Sequence, residues 1–94
     1  MIKVHVFISG LVQGVFYRSW TQETAQFLGL SGWVKNSPDG QVEAIFVGDK
    51  EKVEKMLKFL YQGPPASSVE EVEIVEKEGV EVDPFEGRFE IHYG

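Results

Sequence analysis

A glycine-containing loop near the amino terminus carries the residues most suited to chemistry. Gly10 and Gly14 can adopt a positive φ, and the loop delivers Arg18 to the start of a predicted helix. Backbone N–H groups in such a turn, with the positive end of the helix dipole, form a concavity that binds anions. The planar guanidinium of Arg18 can bind two phosphate oxygens at once. The spacing leaves another interpretation open, in which the glycines only turn the chain and Arg18 pairs with a surface acid.

A single asparagine, Asn36, ends the strand before the predicted turn Pro38-Asp39-Gly40. Taken alone, Asn36 is best explained as a residue whose side chain shapes that turn by bonding to the local backbone. A carboxamide has both donors and an acceptor, so it can also hold a water molecule in a fixed orientation without a change of charge. This second role matters only where an electrophile binds nearby.

The composition limits the class of protein and its chemistry. With 94 residues, of which 43% are hydrophobic, residues 1–94 are expected to form one domain. The absence of cysteine excludes thiol nucleophiles, disulfides and thiolate metal sites. His5 and His92 are too few for an all-histidine metal centre. We therefore expect neither a metal nor another cofactor.

The net charge of −6 is unevenly distributed along the chain. Acids and bases are equal in number over residues 1–48, which contain Arg18 and Asn36, whereas residues 64–94 have a large excess of acids. An anion would meet less repulsion in the first part. Because clustered cations supply affinity for nucleic-acid phosphates, we do not expect a nucleic-acid binder.

The amino terminus alternates polar and apolar residues, which is not the pattern of a signal peptide. No apolar run approaches the ~20 residues of a membrane-spanning helix. We therefore expect a soluble cytoplasmic protein that does not bind membranes. A monomer is the simplest expectation.

Hydrophobic periodicity predicts the elements that position these residues. Alternating patterns predict five strands, at residues 2–9, 32–37, 41–48, 69–77 and 88–93. Helical spacing predicts two helices, one over residues 18–28 that ends at Gly29, and one between an Asp49 cap and Gly63. The order β-α-β-β-α-β, with one more short strand, predicts a ferredoxin-like α+β sandwich with both helices on one face of an antiparallel sheet.

Two motifs in this order resemble the signatures of a known family. They are Gly10-x-Val12-Gln13-Gly14-Val15-x-Tyr17-Arg18 and Gly32-Trp33-Val34-Lys35-Asn36, the latter followed by Gly40-x-Val42-Glu43. The first resembles the phosphate-binding signature of the acylphosphatases, and the second resembles their other signature. Since their separation is also similar, the resemblance covers essentially the whole chain.

The resemblance implies the metal-free hydrolysis of a small-molecule acyl phosphate to a carboxylate and inorganic phosphate. It further implies that Arg18 binds the phosphate and that Asn36 positions the attacking water. The backbone of one loop would hold the phosphate, through Val12, Gln13, Gly14, Val15, Phe16, Tyr17 and Arg18. The resemblance does not indicate which acyl group the substrate carries.

Leaving-group chemistry supports the same substrate class independently. The candidate site has a cation, oriented amides and a carboxamide, but no evident general acid, general base or metal. A phosphate ester needs help to expel an alkoxide, whereas an acyl phosphate expels a carboxylate whose conjugate acid has a pKa of about 4. Positioning and charge stabilisation can then suffice. We hypothesise that the proton of the attacking water passes to the substrate phosphate.

Two alternatives stay open at this point. His5 is a candidate base, although its parity opposite to Val4 and Val6 predicts an exposed or half-exposed sheet residue. The alternative function is a non-catalytic ferredoxin-like module that binds an anionic metabolite or RNA. Residues 43–47 match the aromatic and basic pattern of RNA-recognition motifs poorly.

Overall fold

The computed structural model describes residues 1–93, which form five strands and two helices. In chain order these are β1 (Ile2–Leu11), α1 (Tyr17–Phe27), β2 (Ser31–Asn36), β3 (Val42–Gly48), α2 (Lys50–Gln62), β4 (Ser68–Gly79) and β5 (Phe89–His92). The predicted order of elements is confirmed, with strand and helix ends shifted by one or two residues. Neither of the helices described is long and apolar enough to cross a membrane.

The strands form one mixed sheet in the order β4-β1-β3-β2-β5. β1 pairs antiparallel with β3 and β4, and β2 pairs antiparallel with β3. β5 instead runs parallel to β2, with Gly32 opposite Phe89. The antiparallel prediction therefore holds for four strands and not for the fifth. The physical reason lies in the connection after β4. The chain reverses direction there and returns at the opposite edge of the sheet, so that β5 runs antiparallel to β4 and in the same direction as β2.

Both helices pack on one face of the sheet and cover the hydrophobic core. The strand residues of this face and the inward residues of the helices are fully buried, including Val6, Val34, Phe46, Val53 and Met56. Strand alternation places the other parity, with His5, Trp33, Lys35 and Glu43, on the face opposite the helices, which we call the open face. Each side chain's face therefore follows from its parity in the strand.

The helix ends combine confirmed and unconfirmed predictions. Gly29, with a φ of 73°, follows the end of α1, and Gly63 follows α2 as expected. Asp49 occupies the N-cap position of α2, but its side chain makes no capping hydrogen bond. The Asp49 carbonyl instead accepts a hydrogen bond from Val53 N–H at 3.0 Å, the first bond of the helix.

Gly32 lets β2 approach its neighbours closely. Its φ is 135°, and a Cβ at this position would overlap the backbone carbonyl oxygen of Ile45 in β3. Its N–H donates to the carbonyl of Arg88 at 2.8 Å, which joins β2 to the start of β5. A side chain here would disturb the strand that ends at Asn36.

We predict that Gly32→Ala lowers the free energy of unfolding by at least about 2 kcal/mol, because backbone strain and steric overlap act together. Urea denaturation measures this loss. Gly79→Ala in β4 is the matched control, since a Cβ there meets nothing within 4 Å, and its effect should stay within about 0.5 kcal/mol. Similar losses in the two variants would contradict the close-approach explanation.

Candidate active site

A cavity of about 240 Å³ lies at the end of β2, between the β1–α1 loop and β5. It brings together Arg18, in the first turn of α1, and Asn36, the last residue of β2. The residues around it are Val12, Gly14, Phe16, Tyr17, Arg18, Ser19, Asn36, Ile91 and Tyr93. Gln13 and Val15, also predicted for the phosphate loop, do not line it.

The β1–α1 loop has a backbone suited to binding an anion. Gly14 and Phe16 have φ values of 75° and 63°, and such left-handed residues turn successive N–H groups toward one point. Within residues 1–93, the amides of residues 13–16 donate no hydrogen bond to the protein. The first turn of α1 adds further free N–H groups and the positive end of the helix dipole.

Phe16 is strained in this conformation. A non-glycine residue in the left-handed region costs about 1–2 kcal/mol, and the Phe16 side chain is 83% exposed, so burial does not compensate for that cost. Such strain typically occurs where a backbone must present specific groups. Here it occurs at the residue that leads directly into α1.

Tyr17 anchors the start of α1 to α2. Its buried hydroxyl donates to the carbonyl of Leu60 at 2.6 Å. That carbonyl lacks its helical partner, since Pro64 stands four residues later and has no N–H. Burial raises the pKa of Tyr17 above its usual value because the phenolate would lose its hydration. The hydroxyl therefore stays protonated, and the backbone next to Arg18 is held in place.

Gln13 connects the loop to the turn that follows Asn36. Its Nε2 donates to the carbonyls of Ser37 and Gln41, both at 2.8 Å. These two carbonyls flank the β2–β3 turn, so one side chain joins the phosphate loop to the strand end that carries Asn36. The sequence predicted only a backbone role for Gln13, because it does not indicate which distant carbonyls its side chain reaches.

Asn36 and Arg18 both present polar groups without a matching protein partner. Asn36 Oδ1 is buried and accepts no hydrogen bond from residues 1–93, which would cost about 1–3 kcal/mol for an acceptor left unsatisfied. Arg18 forms no ion pair with a carboxylate in the same part of the chain. Its guanidinium lies over the ring of Tyr93, with Cζ 5.0 Å from the ring centroid. The cavity is therefore lined by a cation that has no carboxylate partner in residues 1–93 and by a residue whose buried acceptor has no donor there.

His5 lies on the open face, on the other side of the sheet from Asn36. Its Nε2 is 2.6 Å from Glu43 Oε2, and Glu43 Oε1 is 3.8 Å from the Lys35 ammonium. His92 stacks on Trp33 on the same face, at a ring distance of 5.4 Å. Neither histidine lines the cavity, and in residues 1–93 no three His, Asp or Glu side chains cluster as metal ligands.

Sequence reasoning missed three cavity residues: Ser19, Ile91 and Tyr93. The alternation of Phe89, Ile91 and Tyr93 showed that they share one face of the last strand. It did not show that this strand lies beside β2, because long-range pairing leaves no local pattern.

Comparisons with known proteins show which proteins this chain is similar to. A family model described as "Acylphosphatase" matches residues 4–91. The chain is 48% identical to an acylphosphatase of Syntrophobacter fumaroxidans, over 98% of this chain and 92% of that protein. It is 51% identical to one of Trichormus variabilis, over 85% and 81% respectively. The crystal structure of an acylphosphatase from Bacillus subtilis superposes with a TM-score of 0.90 at 30% identity, covering 99% of this chain and 100% of that one.

We predict that Tyr17→Phe lowers the free energy of unfolding by about 1–3 kcal/mol, because it leaves a buried carbonyl without a donor. Tyr61→Phe is the matched control, since Tyr61 is half-exposed and its hydroxyl donates to the Val72 carbonyl at 3.3 Å, and it should cost less than about 1 kcal/mol. Urea denaturation of both variants tests the difference. Equal losses of unfolding free energy in the two variants would show that the hydrogen bond from Tyr17 to Leu60 contributes no more stability than the exposed one from Tyr61.

Because the pKa of Tyr17 is raised in the folded protein, the free energy of unfolding depends on pH with a sign that can be predicted. The contribution of Tyr17 to stability is complete below the unfolded-state pKa of about 10 and declines as the pH rises above that value. The stability difference between the wild type and Tyr17→Phe should therefore shrink in alkaline solution. A difference that grows above pH ~10 would contradict this explanation.

Proposed function

The chain belongs to the acylphosphatase family, and from this premise we propose how its cavity hydrolyses an acyl phosphate. Arg18 and the amides of residues 12–18 bind the phosphate group, Asn36 orients the attacking water, and no metal takes part. The observation that carries the proposal is that Arg18, Asn36 and loop residues with free amides line one cavity, while neither Arg18 nor Asn36 Oδ1 has a matching polar partner in residues 1–93.

The loop and Arg18 suit the charge of the substrate. A terminal phosphoryl group presents three oxygens that share negative charge, and the transition state of its transfer keeps this charge on the same oxygens. Fixed N–H donors stabilise it without having to reorganise during the reaction. Arg18 adds in-plane N–H donors and a permanent positive charge.

Asn36 suits the nucleophile. Asn36 lines the cavity, and its Oδ1 has no donor in residues 1–93. A rotation of the side chain that turns this oxygen into the cavity lets it accept one hydrogen bond from a water molecule and direct a lone pair of that water toward phosphorus. Water then attacks as the bond between phosphorus and the carboxyl oxygen breaks. The products are a carboxylate and inorganic phosphate, and the proton of the water passes to a phosphate oxygen.

The lack of a carboxyl or imidazole group among the described lining residues favours acyl phosphates over phosphate esters. None of the lining residues in the described part of the chain is Asp, Glu or His, and the Tyr17 hydroxyl is bonded to Leu60. An alkoxide leaving group would need a proton from such a residue, whereas a carboxylate leaves unprotonated at neutral pH.

Arg18, Asn36 and the phosphate-binding loop all belong to one chain, which supports a monomer as the functional unit.

We predict that the protein hydrolyses benzoyl phosphate in excess EDTA but leaves a simple alkyl phosphate intact. Arg18→Ala should lower kcat/KM by about 10²–10³-fold and weaken competitive inhibition by inorganic phosphate. Asn36→Ala should lower kcat by about 10²-fold and leave phosphate inhibition nearly unchanged, because the carboxamide acts on the water.

His5→Ala is the control for a histidine base, and it should retain the wild-type kcat because His5 lies behind the sheet. Turnover that is lost in EDTA would refute the metal-free mechanism. Phosphate binding without any turnover would favour the non-catalytic module instead. Folded Arg18→Ala and Asn36→Ala proteins with wild-type rates would refute the residue assignments.

We also predict that Gln13→Met lowers kcat by about ten- to a hundredfold, because small displacements between loop and nucleophile are costly. Methionine keeps the length of the side chain and removes both donated hydrogen bonds. Gln26→Met, the same change at an exposed position of α1, should have no effect. Steady-state kinetics of the two variants gives the comparison, and an unchanged kcat in folded Gln13→Met would show that this connection does not position the site.

A further inference from the structure

Tyr93 and Arg18 form a contact that the family signatures do not include. We propose that Tyr93 is a positioning residue: its ring holds the Arg18 guanidinium at the cavity from one face and leaves the in-plane N–H donors free for phosphate. This inference rests on the proposed phosphate-binding role of Arg18. It concerns how the arginine is held, since no side-chain carboxylate of residues 1–93 forms an ion pair with it.

The geometry is that of a cation–π contact. Arg18 Cζ lies 5.0 Å from the centroid of the Tyr93 ring, within the ~6 Å over which the ring quadrupole attracts a cation. The N–H donors of a guanidinium lie in its plane, whereas its two faces have none. Unlike a carboxylate, the Tyr93 ring does not cancel the charge of the guanidinium or hold two of its N–H donors in a bidentate pair, so these donors stay available to a phosphate.

A carboxylate partner would act differently. It would occupy two in-plane donors and cancel the charge, and an incoming phosphate would have to displace it. The second arginine of the chain, Arg88, does lie beside a carboxylate, since its Nη2 is 3.7 Å from Glu86 Oε2, although this exposed pair forms no hydrogen bond. Arg18 makes no such pair within residues 1–93, although acids outnumber bases in the chain.

The fold places Tyr93 at this position through β5. Phe89 is buried in the core and stacks on Phe46 with a ring distance of 5.4 Å. The carbonyl of Phe89 accepts a hydrogen bond at 3.0 Å from Gln22 Nε2 in α1. Arg18 lies one helical turn before Gln22, and Tyr93 lies two strand repeats beyond Phe89 on the same face. The α1–β5 contact therefore continues directly into the contact between Arg18 and Tyr93.

Tyr93 is 82% exposed, so its substitution removes little from the core. Its effect on phosphate binding can then be separated from any effect on folding. Tyr93→Leu removes the π face, and Tyr93→Phe keeps it while removing the hydroxyl. Phe27→Leu is the matched control, because Phe27 is an equally exposed aromatic residue of α1 that does not line the cavity.

Titration calorimetry measures the affinity for inorganic phosphate, on which the proposed role of Tyr93 depends, without requiring turnover. Tyr93→Leu should weaken phosphate binding by about two- to fivefold, as expected for loss of an exposed cation–π contact. KM for benzoyl phosphate should rise by the same factor with kcat changed less, since the arginine contacts the phosphate throughout the reaction. Tyr93→Phe and Phe27→Leu should bind phosphate like the wild type.

A double-mutant cycle shows whether the effect passes through Arg18. In an Arg18→Ala background, Tyr93→Leu should cause no further loss of phosphate affinity, because the cation that the ring holds is gone. An equal loss in both backgrounds, wild-type affinity in Tyr93→Leu, or a Tyr93→Phe variant as weak as Tyr93→Leu would each overturn the proposal. Failure of the proposed function would differ, because the wild type itself would then fail to bind phosphate or to turn over benzoyl phosphate.

Discussion

The hydrogen bond between the Tyr17 hydroxyl and the Leu60 carbonyl fixes the first turn of α1 against the end of α2. It forms where Pro64 leaves that carbonyl without a backbone donor, so the break that ends α2 also creates the anchor for α1. The left-handed Phe16 directly precedes this anchor, and Arg18 directly follows it. Gln13 completes the arrangement by joining the loop to the turn after Asn36.

The site combines several features that are unfavourable for the stability of the fold. Phe16 has a strained backbone, Asn36 Oδ1 is buried without a donor, and Arg18 has no carboxylate partner among the described residues. Each feature is unfavourable for folding alone, and each presents a group in the form that a phosphate or a water can use. The well-packed core beneath both helices compensates for these costs.

Sheet parity and strand order keep the other charged groups away from this site. His5, Glu43 and Lys35 interact on the open face, so they are separated from the cavity by the sheet itself. The acid-rich β4 occupies the edge opposite β5, where Lys3 lies 3.8 Å from Glu78. The negative net charge of the protein therefore arises more from this distant edge than from the surroundings of Arg18.

Local patterns in the sequence determined the strands, the helices and their order, whereas the resemblance to the acylphosphatase signatures singled out Arg18 and Asn36. Periodicity and turn residues act over a few positions, which is why β1, α1, the β2–β3 hairpin and α2 could be predicted with small errors at their ends. Only the tertiary structure decided that β5 runs parallel to β2 and brings Ile91 and Tyr93 to the cavity. It alone also decided that the Gln13 side chain reaches Ser37. Those contacts join segments that are distant in sequence, and their geometry depends on how the strands pair and how the helices pack on the sheet.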